Sequence, residues 1–358
     1  MTEKNKIIKL YKEKIQELLK FNKAYFEKDN PIISDFEFDE LKKELFQLVK
    51  KYPFLKKIQN LDGLIGSKPS SKFEKIKHSK SMLSLGNAFD KEDMLDFKKK
   101  IRNFLNTTSE IELSSEPKID GISASLRYEN GKLIYGLSRG DGVLGEDITE
   151  NLITIKKIPK KLIKAPEVLE VRGEVYISKK AFNELNIQRE YDGLPTYANP
   201  RNTAAGSVRQ LDPLITAQRP LKIFIYGLGS TIPTRRFVSH WETLEWLRNL
   251  GFPINEHSRY YSQTSEIDDY YFNWLDMHNK LDYETDGIVI KVDNEDHKNI
   301  LGHTGREPRW AIAYKWPSEF TSTKLLSIEI SVGRTGRITP YAILDPVSLG
   351  GVTITHAS

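Results

Sequence analysis

Glu116-Pro117-Lys118-Ile119-Asp120-Gly121 runs straight into Ile122-Ser123-Ala124-Ser125-Leu126-Arg127-Tyr128. Apolar and polar residues alternate in the second stretch, which predicts a strand with Lys118 at a turn just before it. Two carboxylates and a glycine flank the lysine. That setting suits a nucleophile aimed at a phosphoryl centre. Free lysine has a pKa of about 10.4, so at pH 7 only about one amine in a few thousand is neutral. A nucleophilic lysine needs burial or neighbouring cations to favour the neutral form. Further basic residues are therefore expected around Lys118.

The rest of the chain gives that lysine room for a large scaffold. Its 358 residues are enough for two or three domains, and 39% apolar content supports a substantial core. Basic residues number 54 against 49 acidic, and the net +5 permits a polyanionic partner without demanding one. The absence of cysteine excludes disulfides and thiolate metal sites within these residues. Met1-Thr2-Glu3-Lys4-Asn5-Lys6 leads into a helix-period pattern, not an apolar signal core. No run approaches the ~18 apolar residues of a membrane span. The expectation is a soluble, cytoplasmic monomer with no membrane partner.

Residues 4–28 place Ile7, Ile8, Tyr11, Ile15, Leu18, Leu19 and Ala24 at helical spacing. Asp29-Asn30-Pro31 breaks that helix, and Ser34 with Glu37 forms a capping box for a second one. Its apolar face carries Phe38, Leu41, Leu45, Leu48 and Val49. Residues 60–80, rich in Gly, Ser, Pro and Lys, read as a linker. From about 81 to 317, short strands mix with helices. Val168–Val175, Lys222–Tyr226, Gly287–Val292 and Trp310–Trp316 read as strands; Trp241–Leu250 and Asp268–His278 read as helices. This is α+β and not a regular βαβ series. After Pro317 the pattern is all-β, over Leu325–Val332, Tyr341–Leu344 and Val352–Thr355. About 40 residues cannot close a barrel, so unpaired edges are expected. The expected domains are 1–68, 69–317 and 318–358.

Four further segments belong with Lys118. Leu169-Glu170-Val171-Arg172-Gly173-Glu174 puts Glu174 on a strand, and Ile223-Phe224-Ile225-Tyr226 offers an aromatic face. Asp286-Gly287-Ile288-Val289-Ile290-Lys291 and Trp310-Ala311-Ile312-Ala313-Tyr314-Lys315 each end in a lysine. In this order the set resembles the motifs of covalent nucleotidyltransferases, which include DNA ligases, RNA ligases and capping enzymes. Longer stretches resemble bacterial NAD-dependent DNA ligases specifically. These are Met82–Phe89, Ser138–Asn151, Ala198–Pro213 and Val332–Pro340. The likeness runs from about residue 20 to the last residue.

That resemblance implies a set of roles. Lys118 is the catalytic nucleophile, with Asp120 and Lys291 beside it. It attacks the adenylyl phosphorus of NAD, releases nicotinamide mononucleotide and forms lysyl-AMP. Lys291 and Lys315 match phosphate-contacting lysines, whose charge would offset that of the phosphate and lower the Lys118 pKa. Glu116 and Arg139 match adenosine contacts, and Ser84 and Leu85 nucleotide contacts. Glu174 matches a ribose-contacting acid, with an ion pair to Arg172 or a neighbouring lysine as the plainer alternative. Tyr226 would stack on adenine, or else be a core tyrosine. Arg201 and Arg209 match arginines near AMP and the nick phosphates, where a planar guanidinium grips well. The helical hairpin would bind the nicotinamide mononucleotide half through Tyr25, Asp35 and Asp39. Phe26 and Phe38 stand where the family carries more polar aromatic residues, which would weaken that grip. Mg²⁺ is expected mainly through phosphate oxygens, near Asp286. Zn²⁺ belongs only to a cysteine-bearing region that this chain lacks.

The resemblance implies nicked double-stranded DNA as partner. It also implies that the 358 residues are the adenylation part of a longer ligase, followed by an incomplete oligonucleotide-binding (OB) fold. An ATP-dependent polynucleotide ligase or capping-type enzyme is the near alternative. Gly140-Asp141-Gly142-Val143-Leu144-Gly145 supports a remote one, a Rossmann NAD oxidoreductase. A non-catalytic nucleic-acid-binding module is a third.

Overall fold

The computed structural model describes residues 3–26, 35–58, 73–305, 307–317, 321–332, 338–349 and 352–357. Helices α1 (Glu3–Phe26) and α2 (Asp35–Lys51) form the expected hairpin, followed by a 3₁₀ turn at Pro53–Lys57. Tyr11, Ile15 and Leu18 recur every three to four residues and bury against Leu41, Leu45 and Leu55. Leu19 was expected on this face but is exposed. One residue rotates a helix by ~100°, so burying Leu18 turns its neighbour outward. The Asp29-Asn30-Pro31 break, the Ser34 cap and the side chains of Ala24, Glu37 and Phe38 lie outside the described residues.

Two antiparallel layers follow. The chain enters them through β1 (Lys75–Lys77), β2 (Gly86–Ala88), α3 (Lys91–Leu105), β3 (Leu113–Ile119), β4 (Ile122–Glu129), β5 (Lys132–Ser138), β6 (Leu144–Glu146) and α4 (Thr149–Leu152). The chain continues through β7 (Val168–Ile177), α5 (Lys179–Tyr191), α6 (Pro200–Val208), α7 (Pro213–Ala217), β8 (Leu221–Ile232) and α8 (His240–Asn249). It then forms β9 (Arg259–Tyr261), α9 (Glu266–Met277), β10 (Thr285–Val292), α10 (Glu295–Leu301), β11 (His303–Thr304), β12 (Glu307–Pro308) and β13 (Ala311–Lys315). One sheet has the order β5-β4-β7-β8, the other β2-β13-β10-β3-β9. Among the described strands, only β2 and β13 pair parallel.

Period-two alternation decides what each sheet shows the cavity between them. In β7, Leu169, Val171, Val175 and Ile177 enter the core with Leu126 of β4, Ile223 and Ile225 of β8, and Leu244 and Leu247 of α8. Arg172 and Glu174, on the opposite face, line the cavity. In β10, Ile288, Ile290 and Val292 pack against α3 and α9 through Met94, Ile101, Ile267 and Trp274. Val289 and Lys291 line the cavity.

Two expectations change. The stretch 60–80 is not wholly a linker, because β1 pairs with β6. Lys-Ile-Lys carries almost no strand signal of its own, and its partner lies some seventy residues away. The G-x-G-x-x-G run opens no helix. It forms the turn between β5 and β6, with Gly140 and Gly142 at φ of 57° and 91°. A Cβ at Gly140 would lie 1.9 Å from the Leu144 carbonyl oxygen, so these glycines serve a tight turn and not a dinucleotide. Among the described residues no parallel βαβ series surrounds them, which removes the Rossmann alternative.

Beyond residue 320, β14 (Leu325–Val332), β15 (Ile338–Leu349) and β16 (Val352–Ala357) form an antiparallel sheet in that order. Among the described residues these three strands form an open sheet. Leu326, Ile328 and Ile330 of β14 are exposed.

Candidate active site

Lys118 sits near the end of β3, where the chain turns into β4 at Gly121. A Cβ at Gly121 would come within 2.3 Å of the Val175 carbonyl oxygen, so only glycine lets this turn pass so close to β7. The turn holds Lys118 over a cavity of about 1550 Å³ between the two sheets.

The Lys118 amine donates to both carboxylate oxygens of Asp286, at 2.8 Å each. Lys315, at the end of β13, donates to the same carboxylate at 2.9 Å. Burial alone would raise the Asp286 carboxyl. The two ammonium groups overcome that and hold it well below the usual carboxylate range. Simple alternation would put Asp286 and Lys291 on opposite faces of β10. The register against β3 shifts between Thr285 and Ile288, however, and Gly287 takes a φ of 142°. A side chain at Gly287 would strike the Tyr314 carbonyl oxygen at 2.3 Å. This bulge turns Asp286 onto the cavity face, which Lys291 shares.

Lys291 does not join Lys118 and Lys315. It lies five residues along β10 from Asp286, about 16 Å at the strand rise of ~3.3 Å per residue. Its amine forms an ion pair with Glu116 and donates to the Tyr226 carbonyl oxygen at 3.0 Å. It also meets His240 Nε2 at 3.2 Å. Burial lowers the Lys291 ammonium from its ordinary value, and the Lys298 charge adds to that. Burial likewise pushes the His240 imidazole well below 6.5. The cavity therefore has two lysine–carboxylate clusters, one at each end.

Between them stands the wall of β7 and β8. Glu174 accepts from the Ser123 hydroxyl at 2.8 Å. Burial raises its carboxyl to about 7, against the opposing pull of Ser123, Arg201, Lys118 and Arg139. The alternative pairing of Glu174 with Arg172 is not formed. Arg172 instead donates to the carbonyl oxygens of Ser81, at 3.1 Å, and Lys80. Glu170 accepts from the Ser79 hydroxyl at 2.6 Å. These bonds tie down the strap that carries Ser84 and Leu85 along the cavity. Tyr226 faces the cavity with its ring 5.5 Å from the Lys291 amine, so it is not a core tyrosine. Burial, with Glu174 adding, pushes its phenol up to about 12. Arg139 lines the cavity from the β5–β6 turn.

Arg201, in the first turn of α6, donates to Asp120 at 2.7 Å. Arg209, just past that helix, donates to Glu146 at 3.1 Å. Both guanidinium groups line the cavity. Tyr25 falls in the last turn of α1, and Asp35 and Asp39 in the first turns of α2, but their side chains lie outside the described residues, as do those of Phe26 and Phe38. The hairpin does reach the layers above it, with the Lys43 amine 5.0 Å from the Phe89 ring. No cluster of three or more metal-ligating side chains occurs among the described residues. Asp286, the carboxylate expected near Mg²⁺, is committed to two lysines. No described helix is long and apolar enough to cross a membrane.

The model of the NAD-dependent DNA ligase adenylation domain matches residues 70–319. The chain belongs to the NAD-dependent DNA ligase family. Models of that family's OB-fold domain and of the DNA ligase-like, N-terminal NAD⁺-binding domain match residues 322–358 and 4–59. The sequence is 45% identical to a DNA ligase of Clostridioides difficile over 358 residues, covering 100% of this chain and 52% of that protein. It is 48% identical to one of Brevibacillus brevis over 349 residues, covering 96% of this chain and 52% of that protein. The chain thus spans about half the length of these ligases. Among solved structures, a putative ATP-dependent DNA ligase from Aquifex aeolicus is similar at 15% identity and a TM-score of 0.36, over 66% of this chain and 50% of that one. A likeness that low carries no weight in choosing between nucleotide donors.

Sequence reading of this ligase domain missed His240 and Ser123, which also line the cavity. Phe224, which shares the aromatic face of β8 with Tyr226, lines the cavity and stacks on Tyr176 at 5.1 Å. His240 gives no such signal, since it reads as the first residue of a helix capped by Ser239.

Proposed function

We propose that Lys118 attacks the adenylyl phosphorus of NAD at the Asp286 end of the cavity. The observation that carries this is the convergence of Lys118 and Lys315 on one carboxylate, with Arg139, Arg201 and Glu174 on the surrounding wall. The Lys118 nitrogen forms the new bond to phosphorus. The bond from phosphorus to the bridging oxygen breaks, and its electron pair leaves with nicotinamide mononucleotide. The amine gives up its protons to water. Lys315 and the arginines offset charge that grows on the phosphate oxygens. Asp286 orients both ammonium groups until phosphate competes for them.

The opposite end takes the base. Tyr226 supplies a flat apolar face there, and Glu116 an acceptor for a base N–H. Glu174, between the ends, contacts the ribose. With a pKa of about 7 it is present as both acid and carboxylate at neutral pH. Tyr25, Asp35 and Asp39 of the hairpin contact the nicotinamide mononucleotide half, and Mg²⁺ would be held mainly by phosphate oxygens, where its charge would offset that of the phosphates. The boundaries 1–68, 69–317 and 318–358 separate hairpin, catalytic layers and OB strands. The AMP then passes to a 5′-phosphate at a nick in double-stranded DNA, near Arg201 and Arg209. Sealing the nick requires the remainder of a longer ligase.

The experiment is incubation with NAD labelled in its adenylyl phosphate, followed by a chase with nicotinamide mononucleotide. Label should enter the protein and leave again as NAD. Uptake from ATP but not from NAD would transfer the reading to the ATP-dependent enzymes.

A further inference from the structure

A lysine ammonium has three N–H donors and no acceptor. Three groups meet the Lys291 amine, namely the Glu116 carboxylate in an ion pair, the Tyr226 carbonyl oxygen at 3.0 Å and His240 Nε2 at 3.2 Å. Burial lowers both the Lys291 ammonium and the His240 imidazole, so the contact between them joins a neutral ring to the amine and needs one proton, from either side.

The backbone explains why this ring stays in place. His240 opens α8, and its own N–H donates to the Asp293 carbonyl oxygen at 2.7 Å. The next N–H, of Trp241, donates to the Asp293 carboxylate at 3.0 Å. The ring is thus anchored to the end of β10, behind the Lys291–Glu116 pair. It is buried, as are both partners. Lys291 of β10, Glu116 of β3 and Lys298 of α10 are the charged groups around the ring, and Glu295 and Asp293 act on Lys291 beside it. A protonated imidazole would stand beside two cations.

We infer that His240 is a positioning residue for base recognition, holding Lys291 so that Lys291 in turn fixes the Glu116 carboxylate toward the base. The inference rests on the reading of the cavity as the NAD site. It makes Glu116 the reader of a donor on the base, and it makes Lys291 and His240 the frame that sets its angle. Adenine offers an exocyclic amine to such a carboxylate, whereas hypoxanthine carries an oxygen there and would be disfavoured.

The test compares wild type with His240→Leu, His240→Asn and His240→Gln in steady-state self-adenylation, with NAD and with its hypoxanthine analogue. Glutamine can place an acceptor near the position of Nε2; asparagine is too short and leucine has none. For leucine and asparagine the KM for NAD should rise about 10-fold, equivalent to ~1.4 kcal/mol. Their preference for NAD over the analogue should fall by a similar factor, while kcat stays within about 3-fold. Glutamine should restore KM and preference. Unchanged KM and preference in all three variants overturns the inference while leaving the reading of the site intact. A drop in kcat with KM unmoved also overturns it. If leucine fails to fold, the asparagine–glutamine contrast decides alone. Absence of adduct in wild type overturns both the site reading and the inference.

Discussion

At one end of the cavity Lys118 and Lys315 share Asp286, with lysine side chains 25% and 13% exposed. At the other end Lys291 and Glu116 meet with both side chains 9% exposed, and His240 closes the cluster from behind. The chemistry of the pairs is the same, but their settings differ. A cation that must leave its carboxylate to meet phosphate is kept near solvent, where exchange of partners is cheap. A lysine that only fixes an acceptor is buried and enclosed by protein groups. Two lysines that look alike in sequence thus take different work, one for covalent chemistry and one for holding a shape.

Breaking the first cluster should cost activity far more than stability. Asp286→Ala removes the group that orients both lysines, and we expect self-adenylation to fall ~100-fold or more. Its unfolding free energy should fall modestly, by ~1 kcal/mol or less, because both ammonium groups can turn to water. Single-turnover labelling and urea titration on the same preparation check both halves. Breaking the second cluster should reverse that order. Glu116→Ala leaves a buried Lys291 charge without its counter-ion, and such losses typically reach ~3–5 kcal/mol. A Glu116→Ala protein as stable as Asp286→Ala would end the distinction between the two ends.

The pH dependence sharpens the contrast further. Glu174 has a folded pKa of about 7, above its unfolded value. The stability linked to its proton is present below the unfolded pKa and lost as pH rises through 7. His240 has a folded pKa below 6.5, so it costs stability as pH falls beneath that value. Glu174→Gln should flatten the neutral-side decline, by ~1–2 kcal/mol between pH 5 and 8, while leaving the acid-side decline in place. Denaturant midpoints across that range would show it, and a decline between pH 5 and 7 unchanged by Glu174→Gln would assign it elsewhere. The smallest expected effect lies at the rim. Arg209→Lys should keep the charge opposite Glu146 and change stability by ~0.5 kcal/mol or less, read by thermal melting.

Much of this arrangement was legible in the residues themselves. Alternation in Ile122–Tyr128 and Val168–Val175 marked β4 and β7, and Lys118, Glu174 and Lys315 fell around one cavity. These are local patterns, written in one segment at a time. The position of Lys291 was not legible, because it depends on which strand lies beside β10. Counting along Asp286–Lys291 cannot say which end of the cavity the lysine reaches, or that Gly287 bulges to bring Asp286 onto the same face. His240 was hidden for the same reason, since its partners come from three distant elements. Likewise β1 exists only through its pairing with β6.

The central claim is that one amine, Lys118, takes the adenylyl group from NAD. Intact-mass analysis after incubation with NAD and Mg²⁺, followed by peptide mapping of the product, tests it directly. The account predicts a gain of one AMP, carried on the peptide containing Lys118 and absent from Lys118→Ala. An adduct mapped to Lys291 or Lys315, or one that persists in Lys118→Ala, would contradict it.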